Sequence, residues 1–270
     1  MNPLLAKVKL PGRVFQLPSK GVFYKNTGVL ATNVVEGEIQ VKPMSALAEM
    51  KLKSADLLMS GKVLRELCEE CAPEILDPEK LVTQDVDALF AFLRVVTYGA
   101  TLKVMSVNDC KKAKAHEYDA NIEALTGQPN NKIIEHADTL YHVALSNGQI
   151  VHTKPNTYSE ALKVIYIRQE IARQSRDGGK ADEKLVEKVA LLDVLSVIKS
   201  VEDDGQVVDD EEMLEEWLRA VSKPILNELL EGVNKTAKWG FDFTVKLKCK
   251  DCGADYDHEL DLNPVSFFFG

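Results

Sequence analysis

Lys248-Cys-Lys-Asp-Cys-Gly-Ala-Asp-Tyr-Asp-His-Glu-Leu-Asp-Leu-Asn263 is the stretch on which the fold reading turns. It follows a β segment, Phe241 to Leu247, and sets Cys249 and Cys252 on one tight turn with Gly253 behind them. Two thiols so spaced, with a glycine to supply the positive φ of the turn, form the knuckle of a zinc ribbon. A second stretch matches it. Asp109-Cys110, five residues, then His116-Glu-Tyr-Asp-Ala-Asn121 repeats the Asp, Cys, His, Glu, Asp and Asn of Asp251-Cys252 and His258 to Asn263 at identical spacing. Each copy follows an extended apolar run, Leu102 to Val107 or Phe243 to Leu247, and each run follows a helical pattern ending near a glycine. Two related helix-then-hairpin units are expected.

Tetrahedral zinc takes four ligands. Cys249 and Cys252 supply two. Cys110 and either His116 or His258 supply the others if the two hairpins face each other. The first copy carries Val107 where the second has Cys249, so its knuckle is broken. A relic hairpin that packs without metal is the competing reading. The other CxxC, Cys68-Glu-Glu-Cys71, lies in a helical stripe with Leu64 and Leu67 and reads as core packing rather than metal or redox chemistry.

Around these units the chain reads as α+β, a mainly helical body with an extended N-terminal arm. Residues Val8 to Leu17 lie among Pro11, Gly12 and Pro18, and Ile39-Gln-Val41 alternates as a strand does. Ser45 caps a first helix, Ser60-Gly61 marks a break, and Asp85 to Tyr98 is strongly helical. Gln128 to Asn131 is a loop, and His136 stands alone on a helical stretch. Tyr141 to His152 is a hairpin around Asn147-Gly148. With those two residues as the turn, Val143 pairs with His152 and His142 with Thr153, so the two histidines point to opposite faces and share no metal.

Thr157-Tyr-Ser-Glu160 is a capping box for a helix running to the Asp177 to Gly179 break. Leu185 to Ile198 is apolar almost all round and predicts a buried helix. Glu202 to Glu212 reads as an acidic loop and helix start rather than a calcium site, since it lacks the alternating ligands of an EF-hand. Met213, Leu214, Trp217 and Leu218 face inward, and Pro224 restarts a helix after Ser222. The tail Phe267 to Phe269 either anchors a partner or tucks into the core. A loose division near residue 155 separates 1–155 from 156–270, unless Cys110 and Cys252 tie both parts into one domain.

The net charge of -9 disfavours general nucleic-acid binding. The densest basic cluster, Lys111 to Lys114, holds three lysines between Asp109 and Glu117. Five cysteines, a first decade without a long apolar run, and no stretch of about 20 apolar residues fit a reducing cytoplasm and no membrane span. No phosphate-binding loop, dinucleotide fingerprint or HExxH motif is present. The sequence therefore nominates no catalytic or organic-cofactor residues, and zinc is the cofactor to consider. A zinc-ribbon nucleic-acid or regulatory adaptor is the alternative function, but Asp251, Asp255, Asp257 and Glu259 surround its knuckle.

The chain also resembles the baseplate-hub family of T-even-like contractile-tailed bacteriophages. The resemblance rests on Leu17-Pro-Ser-Lys-Gly-Val-Phe-Tyr24, Val41-Lys-Pro-Met-Ser45, Leu58-Met-Ser-Gly61, Asp85-Val-Asp-Ala-Leu89 and Leu93-Arg-Val-Val-Thr-Tyr-Gly99. Leu145-Ser-Asn-Gly-Gln149, Cys249-Lys-Asp-Cys-Gly253 and Leu262-Asn-Pro-Val-Ser-Phe-Phe268 extend it to the end. It departs at Val107, where the family tends to carry a first cysteine. The resemblance implies a non-enzymatic hub component or hub-assembly chaperone. Such a protein works on other tail or baseplate proteins in the host cytoplasm and, as a component, in the virion.

Overall fold

The computed structural model describes residues 11–53, 61–110, 114–127, 141–176, 182–262 and 267–268. Expectations for 1–10, 58–60, 111–113, 128–131, His136, 177–179, 263–266 and Phe269 lie outside these residues. The chain is α+β and forms two compact units. The first comprises Met1–Pro78, Gln84–Asn130 and Gly240–Gly270; the second comprises Glu79–Thr83 and Asn131–Trp239. No helix among the described residues is long and apolar enough to cross a membrane.

In the first unit, β1 (Arg13–Gln16) pairs antiparallel with β2 (Glu38–Val41). Ile39 and Val41 are buried while Glu38 and Gln40 face water, the period-2 pattern of a half-buried strand. Ser45 caps α1 (Ala46–Leu52), its hydroxyl accepting the Ala48 N–H at 3.2 Å. α2 (Lys62–Cys71) buries Val63, Leu64, Leu67, Cys68 and Cys71 along one stripe. Burial drives the Cys68 thiol pKa strongly up and pushes Cys71 up to about 12, so both stay protonated and apolar in character.

α3 (Thr83–Tyr98) is the central helix of this unit and is buried on nearly every side of its middle turns. Phe92 stacks on Phe15 with ring centroids 4.4 Å apart and meets Phe241 edge-on at 5.7 Å. Phe90 meets Phe268 edge-on at 6.1 Å. Phe267 and Phe268 are both buried, so the described part of the C-terminal tail is core and not an exposed hook.

One polar feature sits inside this core. Asp85, on the first turn of α3, is fully buried. Its carboxylate accepts the Ser19 N–H at 2.9 Å, the Ser19 hydroxyl, and the Tyr24 hydroxyl at 2.6 Å. The Leu17–Tyr24 and Asp85–Leu89 motifs thus meet on one buried carboxylate. Burial raises its pKa to about 6, against the pull of the three hydrogen bonds.

The unit is completed by β3 (Thr101–Ser106), β4 (His116–Asn121), α4 (Ile122–Thr126), β9 (Thr244–Lys248) and β10 (Asp255–Glu259). β3 pairs with β4 and β9 with β10, each as a two-stranded antiparallel ribbon. The sequence spacing is identical in the two copies, but the pairing is not. His116 stands opposite Ser106 at the end of its hairpin, whereas His258 stands opposite Val245 within its hairpin. The second copy closes at once. The Cys249 N–H donates to Ala254 O at 2.9 Å and the Gly253 N–H to Cys249 O at 2.9 Å. The first copy, without Cys249's counterpart, leaves a longer connection between Ser106 and His116.

The second unit is built on a four-stranded antiparallel sheet, β5-β6-β7-β8 (His142–Ala144, Ile150–Thr153, Ile198–Asp203, Gln206–Val208). The register of its first hairpin corrects the expectation from sequence. His142 pairs with His152 and Val143 with Val151. The loop holds three residues, 146–148, because the Leu145 N–H donates to Gln149 O at 2.9 Å and Gly148 takes φ 93° at the last loop position. A one-residue shift in register moves His152 to the face of His142. β7 and β8 form a further hairpin where an acidic loop was expected. Asp204 (φ 47°) and Gly205 (φ 79°) make its two-residue turn.

The capping box of α5 (Tyr158–Arg176) closes in both directions: Glu160 accepts the Thr157 N–H at 2.9 Å, and the Thr157 hydroxyl accepts the Glu160 N–H at 3.4 Å. α6 (Glu183–Leu195) is not the buried helix that its composition predicts. Val194 alone in it is buried, and Val186 is 48% exposed. The apolar run straddles two elements: the helix ends at Leu195 and Ile198 already begins β7. Its first turns carry Glu183, Lys184, Glu187 and Lys188, which hold one face in water. Asp210 caps α7 (Glu211–Ala220) through the Met213 N–H at 3.0 Å. Ser222 occupies the cap position of α8 (Lys223–Thr236) without a side-chain bond, and Pro224 sits in its first turn. Val143, Leu145, Val151, Val201, Leu214, Leu218 and Leu229 form the core between sheet and helices, with Trp217 packed against it.

Candidate metal centre

The β3–β4 and β9–β10 hairpins face each other within the first unit. Ser106 Oγ lies 3.0 Å from His258 Nδ1 and accepts the Tyr256 hydroxyl at 3.0 Å. Lys250 Nζ donates to Glu117 O at 2.6 Å and lies 5.0 Å from the centre of the Tyr118 ring. These contacts pin the knuckle of one hairpin onto the other.

Where they meet, Cys110, Cys249 and Cys252 converge. Their three sulfurs lie within 4.8 Å of one another, and Cys110 Sγ is 3.9 Å from Cys249 Sγ. A disulfide needs about 2.05 Å between sulfurs. Two thiolates on one tetrahedral zinc, each at about 2.3 Å from the metal, stand about 3.8 Å apart. The observed separation is too long for a bond and fits two sulfurs that could ligate one ion. Cys249 is buried, Cys110 half-buried and Cys252 exposed.

The electrostatics favour a thiolate. Cys249 has its pKa lowered to about 7, chiefly because the Cys252 N–H donates to its sulfur. Burial pulls the other way; the Asp251 N–H, the Cys252 thiol and the Asn108 amide support the shift. Asn108 Nδ2 also lies 3.5 Å from Cys252 Sγ. Thiolate is the form that binds metal. The donor set, its spacing and this shift fit a soft or borderline cation such as zinc.

Of the four residues nominated from sequence, three come together and one does not join them. His116 Nε2 lies 2.9 Å from Asp251 Oδ2, which also accepts the Lys114 N–H at 3.2 Å. The imidazole contact in turn holds the Asp251 pKa below the usual range. His258, the alternative fourth ligand, contacts Ser106. Asp251 and Asn108 were not foreseen as parts of the site. Asp251 was legible as a knuckle residue inside the repeat, whereas nothing in the spacing marks Asn108.

A family model described as T4 bacteriophage base plate protein matches residues 27–270. No curated protein and no solved structure matches the chain.

Proposed function

The chain belongs to the T4 bacteriophage base plate protein family, and from that premise we propose that it is a baseplate hub component or hub-assembly factor acting through protein–protein contacts without catalysis. The family match along 27–270 carries this reading. The fate of three strongly shifted groups supports it. Asp85, Cys68 and Cys71 are committed to packing and hydrogen bonding inside the first unit. In this reading the partners are other tail or baseplate proteins, met in the host cytoplasm during assembly.

The zinc-ribbon-like hairpins belong to the same proposal. Cys110, Cys249 and Cys252 would hold a structural zinc ion, whose binding free energy is folding free energy for the hairpins it joins. An outside ligand or a reoriented His116 completes the set. Acidic residues around the knuckle favour a protein-facing role over a nucleic-acid contact.

The test is deletion of the gene in a phage that carries it, with electron microscopy of the particles and mass spectrometry of virions beside lysate. Absent or misassembled baseplates are expected. Peptides of the chain in the particle identify a component; their restriction to lysate identifies an assembly factor. Normal baseplates and full infectivity without the gene overturn the proposal. Zinc is scored separately: the purified chain releases zinc on thiol modification, and Cys249→Ser abolishes that release.

A further inference from the structure

The corrected register of the β5–β6 hairpin places His142 directly opposite His152. The ladder bonds fall on the alternate pairs. The Thr153 N–H donates to Tyr141 O at 2.6 Å and the Leu145 N–H to Gln149 O at 2.9 Å. His142 and His152 are therefore a non-hydrogen-bonded pair, the class in which opposed side chains approach most closely. Their ring centroids are 4.5 Å apart and the rings are perpendicular. Glu202, on the neighbouring strand β7, brings Oε2 to 3.2 Å from His152 Nε2. His142 is exposed, and His152 and Glu202 are half-buried, so the trio is open to solvent cations.

We propose that His142, His152 and Glu202 form a binding site for a divalent transition-metal ion of the zinc class, separate from the three-cysteine cluster. Two imidazole nitrogens and one carboxylate oxygen are a ligand set for zinc that leaves a fourth position for water or an incoming group. As they stand the three ligand atoms do not all lie within 4.8 Å of one another; the sheet fixes the backbone positions, and binding would turn the His142 and His152 rings about their side-chain torsions toward a shared ion. Glu202 either ligates directly or orients the His152 ring, and in both roles its loss weakens binding. Beyond the baseplate reading, this assigns a metal-responsive surface to the second unit, on a β-sheet face with no thiol.

The test is equilibrium dialysis of the full chain against zinc, with bound metal counted in wild type, His142→Ala and Cys249→Ser. His142→Ala is expected to lose one bound zinc per chain, and Cys249→Ser a different one, so a thiol site that fails to load does not confuse the result. Cobalt serves as a spectroscopic probe. In Cys249→Ser it should give a visible d–d band without thiolate charge transfer, and that band should vanish in the double variant. Glu202→Gln is expected to weaken binding at this site by at least about tenfold. Since His142 is exposed, circular dichroism should show both histidine and glutamate variants folded. Zinc stoichiometry and cobalt spectra unchanged by His142→Ala would overturn the proposal.

Discussion

Replacing Asp85 with alanine removes the acceptor of three hydrogen bonds, from the Ser19 N–H, the Ser19 hydroxyl and the Tyr24 hydroxyl. Each buried donor left without a partner costs about 1–3 kcal/mol, so the gross loss is about 6 kcal/mol. Removing a buried charge offsets part of it. The pKa rises from 3.8 to about 6 on folding, which corresponds to about 3 kcal/mol disfavouring the ionised form at neutral pH. The net expectation for Asp85→Ala is about 3 kcal/mol of destabilisation near pH 7. Asp85→Asn keeps one acceptor and removes the charge, and should fall within about 1 kcal/mol of wild type. The pH dependence separates these terms. A folded pKa above the unfolded value means that the native state takes up the proton first. The resulting stability is fully present below about pH 4 and is lost as pH rises through about 6. Between about pH 7 and pH 5 the wild type should gain about 1 kcal/mol that Asp85→Asn does not gain. Asp87, also raised to about 6 by burial, contributes equally to both proteins and cancels in the difference. Urea unfolding followed by circular dichroism at the two pH values measures all of this. Equal pH slopes in wild type and Asp85→Asn, or an Asp85→Ala protein as stable as wild type, would refute the reasoning.

Two further outcomes follow from close contacts in the second unit. A Cβ on Gly232 of α8 would sit 2.5 and 2.6 Å from the two methyls of Val143 and 3.1 Å from its Cβ, so no Val143 rotamer relieves it. Alanine gains about 1 kcal/mol of helix propensity but meets an overpacking cost of about 1–3 kcal/mol. Gly232→Ala should therefore lower the melting temperature, and a double-mutant cycle with Val143→Ala should show the clash term cancel. Thr157→Ala opens the capping box of α5 and should cost about 1 kcal/mol. Faster amide exchange confined to the first turn of α5 is its signature, and uniform exchange across the helix would count against it.

Local chemistry made part of this architecture legible. Ser45, the Thr157–Glu160 box and the Asp85–Tyr98 helix follow from capping and periodicity, and the convergence of Cys110 with Cys249 and Cys252 followed from the repeat. The errors have physical sources. Asn147-Gly148 marked a turn correctly, yet loop length hung on the Leu145–Gln149 bond, and one residue of loop reverses a strand's faces. The β7–β8 hairpin was hidden because its Asp204-Gly205 turn lies in an acidic run that reads equally as a helix start, although Asp-Gly before Val207 and Val208 was a usable signal. The Leu185–Ile198 run misled because hydrophobicity alone does not show where a helix hands over to a strand. That His116 turns to Asp251 rather than to the sulfurs depends on hairpin register, which the shared spacing of the two copies conceals.

Cys110 and Cys249 are separated by 139 positions in sequence, which gives the first unit a timetable. In the order of synthesis every residue of the second unit precedes Gly240, where the segment that carries the β9–β10 hairpin begins. Closing so long a loop costs about 4 kcal/mol of chain entropy, and a neighbour already folded inside the loop reduces the chain that must be restrained. The knuckle is therefore a clasp closed across the second unit's sequence: the β3–β4 ribbon holds one thiol until the two on the β9–β10 turn have been made. A chain truncated before Gly240 keeps the sequence of the second unit but has no β9–β10 hairpin to cover Ser106 and Cys110.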